Sequence, residues 1–153
     1  MKNTYRIDIE APPERVFYWI TGGRLMKWLP NIVESENLKV TESQIGSTFR
    51  QVYLERGRRM EMHGEITGYE PNRRLTCEIR GDAFELWVDY RLEDLGGRTR
   101  LTQDSTVIFK STAMKVMGVL MKPFMKKASL KQADDSFAKL KQLAELGDEL
   151  PAV

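Results

Sequence analysis

Apolar and polar residues alternate over the first ten positions of the chain. Tyr5, Ile7 and Ile9 are separated by charged residues, a pattern typical of a strand with one buried face. The run Ala-Pro-Pro-Glu at 11–14 ends this strand and begins a helix, because proline is favoured at the first helical position. A second short helix is predicted at about residues 24–29, before a proline. The chain therefore begins with one strand and two short helices.

Six further strand-like runs follow, separated by short groups of turn-forming residues. They are predicted at residues 32–40, 48–54, 60–66, 75–79, 84–92 and 100–109. Connections this short favour antiparallel neighbours, since parallel strands need a crossover of a dozen or more residues. The pattern predicts one antiparallel sheet of six to seven strands.

The period of the apolar residues becomes helical from about residue 113 to residue 146. An apolar stripe is formed by Leu130, Ala133, Phe137, Leu140 and Ala144. Proline at 123 is expected to kink this helix or divide it. The stripe must be buried against one face of the sheet, so the fold class is α+β, and a strongly curved sheet would enclose a space beneath the helix. The length fits a single domain spanning 1–153.

Several segments carry a family resemblance in addition to the order of the elements. They are IEAPPERVF at 9–17, KWLPNI at 27–32, Ile45-Gly46 before a strand, GEITGYEPNRRL at 64–75 and LKQLAE at 140–145. Together they resemble the polyketide cyclase/dehydrase and lipid-transport superfamily, which includes START lipid-transfer domains and Bet v 1-like proteins. The resemblance implies a helix-grip fold, in which a curved sheet wraps around the C-terminal helix. It leaves function open among binders, carriers, cyclases, hydrolases and chaperone activators.

In a helix grip, alternate residues of each strand face the helix. The alternation places Gln51, Tyr53, Tyr90, Gln103 and Ser105 inward, on an otherwise apolar face. A buried polar group without a partner costs about 1–3 kcal/mol, so each needs a neighbour, a water molecule or a ligand. A few converging polar groups on an apolar wall are typical of a small-molecule site. The alternative is a closed core in which these groups bond each other.

The predicted ligand pocket combines these polar groups with apolar strand residues, one tryptophan and the methionine-rich start of the long helix. Its members are Trp28, Phe49, Gln51, Tyr53, Met60, Met62, Phe84, Leu86, Val88, Tyr90, Gln103, Ser105, Val107, Met117, Met121, Phe124 and Met125. The family resemblance places Trp28 at one end of the cavity. Methionine adapts to irregular space and to ligands of differing shape, so the helix start is predicted to be either a pocket lid or plain core filling.

Candidate catalytic and metal-binding residues are few. His63, the only histidine, has Glu61 and Glu65 on its own face, as a general base oriented by a carboxylate would. Its strand parity points it outward, which favours a solvated convex face. Cys77, the only cysteine, is expected in the core on the opposite face, so the two cannot share a metal ion. No nucleophile elbow, phosphate-binding loop or dinucleotide fingerprint is present, and no catalytic residue, metal or cofactor is assigned.

Charge and composition limit the classes of molecule that the protein could bind. The net charge is +2, but six lysines and no acid lie between Asp104 and Asp134, which indicates a solvated helix face or a surface for acidic partners. No nucleic-acid motif accompanies them. This lysine-rich stretch carries too many charges to span a membrane, while a peripheral membrane contact stays open.

Trp87 on the outward row is interpreted as a half-buried sheet residue or a dimer contact. A single cysteine and an N-terminus unlike a signal peptide favour a cytoplasmic location.

Three functions remain after these exclusions. The leading hypothesis is binding or transport of a small hydrophobic ligand, such as a lipid, isoprenoid, quinone or aromatic polyketide. The second is a polyketide cyclase or dehydrase, whose tyrosine and glutamine donors would polarise a carbonyl. The third is a protein-interaction module of the chaperone-activator or ribosome-associated type.

Overall fold

A computed structural model describes residues 2–55, 57–113, 115–116 and 122–146, with side chains described in the last range from residue 130 onward. Its elements are β1 (Lys2–Ile9), α1 (Pro13–Ile20), a 3-10 helix (Gly22–Lys27), β2 (Ile32–Lys39), β3 (Thr48–Glu55), β4 (Arg58–Glu70), β5 (Arg74–Arg80), β6 (Phe84–Asp94), β7 (Thr99–Phe109) and α2 (Lys122–Leu146). The second short helix is thus a 3-10 helix, and it begins two residues earlier than predicted. Its first residue, Gly22, has a φ of 65°, a conformation that glycine adopts without strain.

The seven strands form one sheet in the order β1-β7-β6-β5-β4-β3-β2. Every neighbouring pair is antiparallel, as the short connections predicted. β1 forms one edge of the sheet and pairs with β7, so the first and last strands of the chain are neighbours. The sheet is curved and the C-terminal helix packs on its concave side, which confirms the α+β helix-grip fold.

A β-bulge in β4 contributes to the curvature. The register of β4 on β5 shifts at Thr67, which has no residue directly opposite. The extra residue reverses the in–out alternation of the strand beyond it. Ile66 and Tyr69, which are three residues apart, therefore both contact the core instead of facing opposite sides. The Tyr69 ring packs edge-on against Phe17 of α1, at 5.5 Å between centroids. Bulges bend the strand that carries them, and this one turns the end of β4 toward α1.

Within α2, buried residues lie in the C-terminal half, among the side chains that are described from residue 130 onward. Phe137, Leu140 and Ala144 are at most 2% exposed and join α1 and the inner sheet in one core. Leu130, predicted on the same stripe, is instead 45% exposed. Among the side chains of α2 that the structure describes, Ala133 is the first that packs against the core, and Leu130 lies about 4.5 Å before it along the axis.

Hydrogen bonds fix the same half of α2 to the sheet and to α1. The Tyr5 hydroxyl donates to Asp134 at 2.8 Å, and its ring stacks on Phe137 with centroids 4.4 Å apart. The backbone N–H of Glu10 donates to the carboxylate of Glu145 at 3.1 Å. This anchored half positions one wall of the candidate site. Met117 and Met121 lie outside the described residues, as do the side chains of Phe124 and Met125, so the prediction of a methionine lid falls outside them too.

Candidate ligand site

Two tyrosine–glutamine pairs interrupt the apolar concave wall of the sheet. On β3, the Tyr53 hydroxyl donates to the Gln51 amide oxygen at 2.9 Å. Between β6 and β7, the Gln103 amide nitrogen donates to the Tyr90 hydroxyl at 3.0 Å, and the two residues are direct cross-strand partners. Gln51 is 4% exposed and Tyr90 is 6% exposed. Sequence reasoning brought these four residues to one face, and the structure adds which of them bond each other.

Burial raises the pKa of both tyrosine hydroxyls, and the pKa of the Cys77 thiol to about 12. The negative form of Tyr53 also repels that of Tyr90, which raises the pKa of Tyr90 further. These residues sit on β3 and β6, which are separated in the sheet by β4 and β5. All three groups stay protonated at neutral pH. They are hydrogen-bond donors there and not bases.

The Tyr90 hydroxyl has a hydrogen-bonding capacity that its protein partner does not use. A phenolic hydroxyl can accept and donate at once, and here it accepts from Gln103. No acceptor for its own hydrogen lies among the residues that the structure describes. This hydrogen is therefore available to an oxygen atom of a bound molecule.

A cleft of about 500 Å³ opens between the 3-10 helix and α2. One side is formed by Lys27, Trp28 and Pro30, and the other by Lys131, Gln132, Asp135, Ser136 and Lys139. Sequence reasoning found Trp28 but missed the helix residues. Their signal was the spacing of Lys131, Asp135 and Lys139, which recur every four residues on one helix face.

Trp28 connects this cleft with the tyrosine–glutamine pair on β6 and β7. It is 1% exposed, and its indole N–H donates to the Trp19 carbonyl at 2.8 Å. Its ring lies 5.4 Å from the ring of Phe137 and 6.5 Å from that of Tyr90, between centroids. Because the N–H is already bonded and the side chain is buried, only a small apolar part of the Trp28 ring borders the cleft.

The other predicted pocket residues of the strands occupy the inner row. Cross-strand pairing sets Phe49 opposite Gly64, Met62 opposite Gln51 and Met60 opposite Tyr53. Between β6 and β7, on the same face, it sets Phe84, Leu86 and Val88 opposite Phe109, Val107 and Ser105. Met62 and Val88 are buried and the others are partly buried. Their shared face is now a structural fact, while their contact with a ligand stays a prediction.

His63 and Glu61 lie on the convex face. His63 Nε2 is 3.3 Å from Glu61 Oε1, and the histidine side chain is 59% exposed. Arg50 donates to the same carboxylate at 2.7 Å and is the main cause of its lowered pKa. This is a solvated charge network away from Tyr90 and Gln103. Among the described residues, no three His, Cys, Asp or Glu side chains converge as a metal site would require.

Trp87 also lies on the convex face and is 43% exposed. It borders a shallow depression of about 180 Å³ beside Asp89, Asp104 and Thr106. A dimer contact at this position stays a prediction. In the portion of the chain covered by the structure, no helix combines the length and apolar character needed to cross a membrane.

Comparison with known proteins identifies the family. Residues 2–145 match the family described as polyketide cyclase / dehydrase and lipid transport. The chain belongs to this family. No protein with a curated functional description matches it.

Solved structures of this fold come from several bacteria. The protein TTHA0849 from Thermus thermophilus superposes with a TM-score of 0.78 at 16% identity, over 97% of this chain and 100% of that one. The Zhui aromatase/cyclase from Streptomyces sp. R1128 gives 0.76 at 11% identity, over 95% and 93%. A START superfamily protein from Mycobacterium smegmatis gives 0.75 at 18% identity, over 93% and 98%. At these identities the likeness shows the fold alone. Family and fold together support hydrophobic-ligand binding or a polyketide-cyclase-like function in general.

Proposed function

We propose that this protein binds or carries a small hydrophobic ligand between the concave face of the sheet and α2. Candidate ligands are a lipid, an isoprenoid, a quinone or an aromatic polyketide. The observation that carries the proposal is the Tyr90–Gln103 pair. A phenol that is 6% exposed lies on an apolar wall with its hydrogen unaccepted by any described residue.

The chemistry of the wall suits a ligand that is mostly apolar and has one or two oxygen atoms. Inner-row residues such as Leu86 and Val88 would bury its carbon skeleton, at about 25 cal/mol per Å² of apolar surface. The Tyr90 hydroxyl would donate to a carbonyl or hydroxyl oxygen and so orient the molecule. A neutral hydrogen bond adds only about 0.5–1.5 kcal/mol, so apolar burial would supply most of the affinity.

A second observation favours binding over cyclisation. A cyclase needs a base that removes a proton beside the substrate carbonyl, commonly a histidine or a carboxylate. Within the described residues, no histidine or carboxylate is hydrogen-bonded to the side chains of Tyr53, Tyr90 or their glutamine partners, and the only histidine is on the convex face. The tyrosines cannot replace it, because burial keeps them protonated at neutral pH.

The test begins with native mass spectrometry of the purified protein, followed by organic extraction. We expect a co-purified hydrophobic molecule. An empty protein that also shows no thermal shift with lipids, quinones and aromatic polyketides would refute the proposal. Chemical conversion of an added polyketide would favour the cyclase instead.

The role of the anchor is tested with Tyr90→Phe. We expect the affinity for a carbonyl-bearing ligand found in the first experiment to fall about fivefold, the equivalent of one neutral hydrogen bond. Tyr18→Phe is the matched control, since the Tyr18 ring lies against the Arg24 guanidinium outside the concave face and should keep that contact as phenylalanine. Equal affinities in the wild type and both variants would show that the Tyr90 hydroxyl does not bind the ligand.

A further inference from the structure

The cleft between the 3-10 helix and α2 carries more positive than negative charge. Three lysines line it, Lys27 from one side and Lys131 and Lys139 from the other, against the single carboxylate of Asp135. The lysines therefore come from two segments far apart in the sequence. The fold brings them to one opening.

These three lysines have no carboxylate partner among the described residues. The lysine ion pairs in that part of the chain belong to Lys110, with Glu85, and to Lys141, with Glu145. The helical spacing of Lys131, Asp135 and Lys139 would permit ion pairs, yet none forms. Their ammonium groups can bind an anion without first giving up a protein partner.

The floor of the cleft is apolar where its rim is cationic. Pro30 lines it, together with the small part of the buried Trp28 ring that reaches the cleft. The Trp28 ring also contacts the ring of Phe137, and the ring of Tyr90 lies 6.5 Å from it between centroids. A molecule in the cleft would thus have its charged end at the lysines and its apolar part against Pro30 and the edge of the Trp28 ring.

We propose that the ligand is an anionic amphiphile, whose carboxylate or phosphate is bound by Lys27, Lys131 and Lys139 while its apolar part lies on Trp28. This inference rests on the proposed function and specifies its ligand class. Exposed charges separated by more than about 10 Å are screened at 0.1 M salt, so only lysines at the cleft rim should contribute strongly.

Calorimetric titration of four probes into the purified protein tests it: decanoate, decyl phosphate, decan-1-ol and inorganic phosphate. We expect the two anionic decyl compounds to bind about tenfold more tightly than decanol, because each exposed ion pair is worth up to a few-fold in affinity. Inorganic phosphate should bind more weakly than decyl phosphate. The variant Lys27→Gln/Lys131→Gln/Lys139→Gln should lose the preference for the anionic probes and keep decanol affinity.

The matched control is Lys2→Gln/Lys39→Gln/Lys115→Gln, which changes the net charge equally at exposed positions outside the cleft. It should keep the preference for anionic probes. If the cleft variant does not fold, the salt dependence of binding to the wild-type protein still tests the anion site. Raising NaCl from about 0.05 to about 0.5 M should weaken decanoate binding and leave decanol binding nearly unchanged.

The possible failures are distinct. Equal affinity for decanoate and decanol, or equal losses in both lysine variants, overturns the anion site and leaves the hydrophobic-ligand proposal standing. Inorganic phosphate that binds as tightly as decyl phosphate overturns the amphiphile, since the cleft would then bind a free anion. Binding of none of the three decyl compounds contradicts this inference. The proposed function itself would fail only if extraction and the broader ligand panel also gave nothing.

Discussion

Tyr90 and Arg91 are neighbours in β6 but lie on opposite faces of the sheet. Tyr90 is 6% exposed, neutral and hydrogen-bonded to Gln103. Arg91 is charged, its side chain is 48% exposed, and it joins Asp89 and Asp104 in a network. A two-residue period therefore gives one strand two different surfaces. The concave surface holds neutral donors and acceptors suited to an apolar ligand, while the convex surface holds ion pairs that water and salt weaken.

The comparison predicts its largest effect for truncation of the concave face. Leu101 on β7 is fully buried, so Leu101→Ala should lower the free energy of unfolding by about 2–5 kcal/mol through lost burial and a cavity. Ile108→Ala on the convex side of the same strand, where Ile108 is 46% exposed, should cost far less. Urea unfolding followed by circular dichroism measures both. Similar losses would contradict the assignment of the two faces.

Overpacking of the concave face should have the next largest effect. The ring of Phe49 occupies the space where a side chain at Gly64 would lie. Gly64→Ala should therefore destabilise the protein by about 1–3 kcal/mol. Gly23→Ala is the control, because an added methyl group there meets no atom within 4 Å. A thermal melt in which both variants behave alike would show that Phe49 can move away at little cost.

Much of this contrast could be predicted from the sequence, and the exceptions have physical causes. Alternation depends only on local backbone geometry, so it placed Gln51 and Tyr90 inward without knowledge of the strand order. The bond between Tyr90 and Gln103 depends on the register of β6 on β7, which alternation alone does not determine. The lysines of the cleft were missed because their proximity depends on how α2 docks against the 3-10 helix. Leu130 has the right helical phase yet is 45% exposed, because phase alone does not determine how far along α2 the core extends.

Alkaline pH should lower the stability of the folded protein through ionisation of Cys77 on the concave side. Burial raises the pKa of its thiol from 9.0 to about 12, so the unfolded chain releases this proton at lower pH than the folded one. The corresponding stability is complete below about pH 9 and is lost as the pH rises toward 12, by up to about 1.4 kcal/mol per pH unit. Cys77→Ala should remove that part of the decline, while Tyr53 and Tyr90 remain in both proteins. We would compare urea unfolding of the two between about pH 8 and pH 11. Parallel curves would show that the thiol ionises as easily in the folded protein as in the unfolded one.

The convex ion network should give the smallest effect and the strongest dependence on salt. Arg91 donates to Asp104 at 2.6 Å and to Asp89 at 3.2 Å, but all three side chains retain contact with solvent. Arg91→Ala should lower the free energy of unfolding by only about 0.2–1 kcal/mol, because exposed ion pairs gain little over hydration. Asp89 also keeps a bidentate contact with Arg74, which limits the loss. Urea unfolding at about 0.05 and 0.5 M NaCl should show the difference from wild type shrinking as salt increases. A loss above about 2 kcal/mol that salt does not change would mean that Arg91 stabilises the sheet by packing its aliphatic stem, and the two faces would then differ less than their charges suggest.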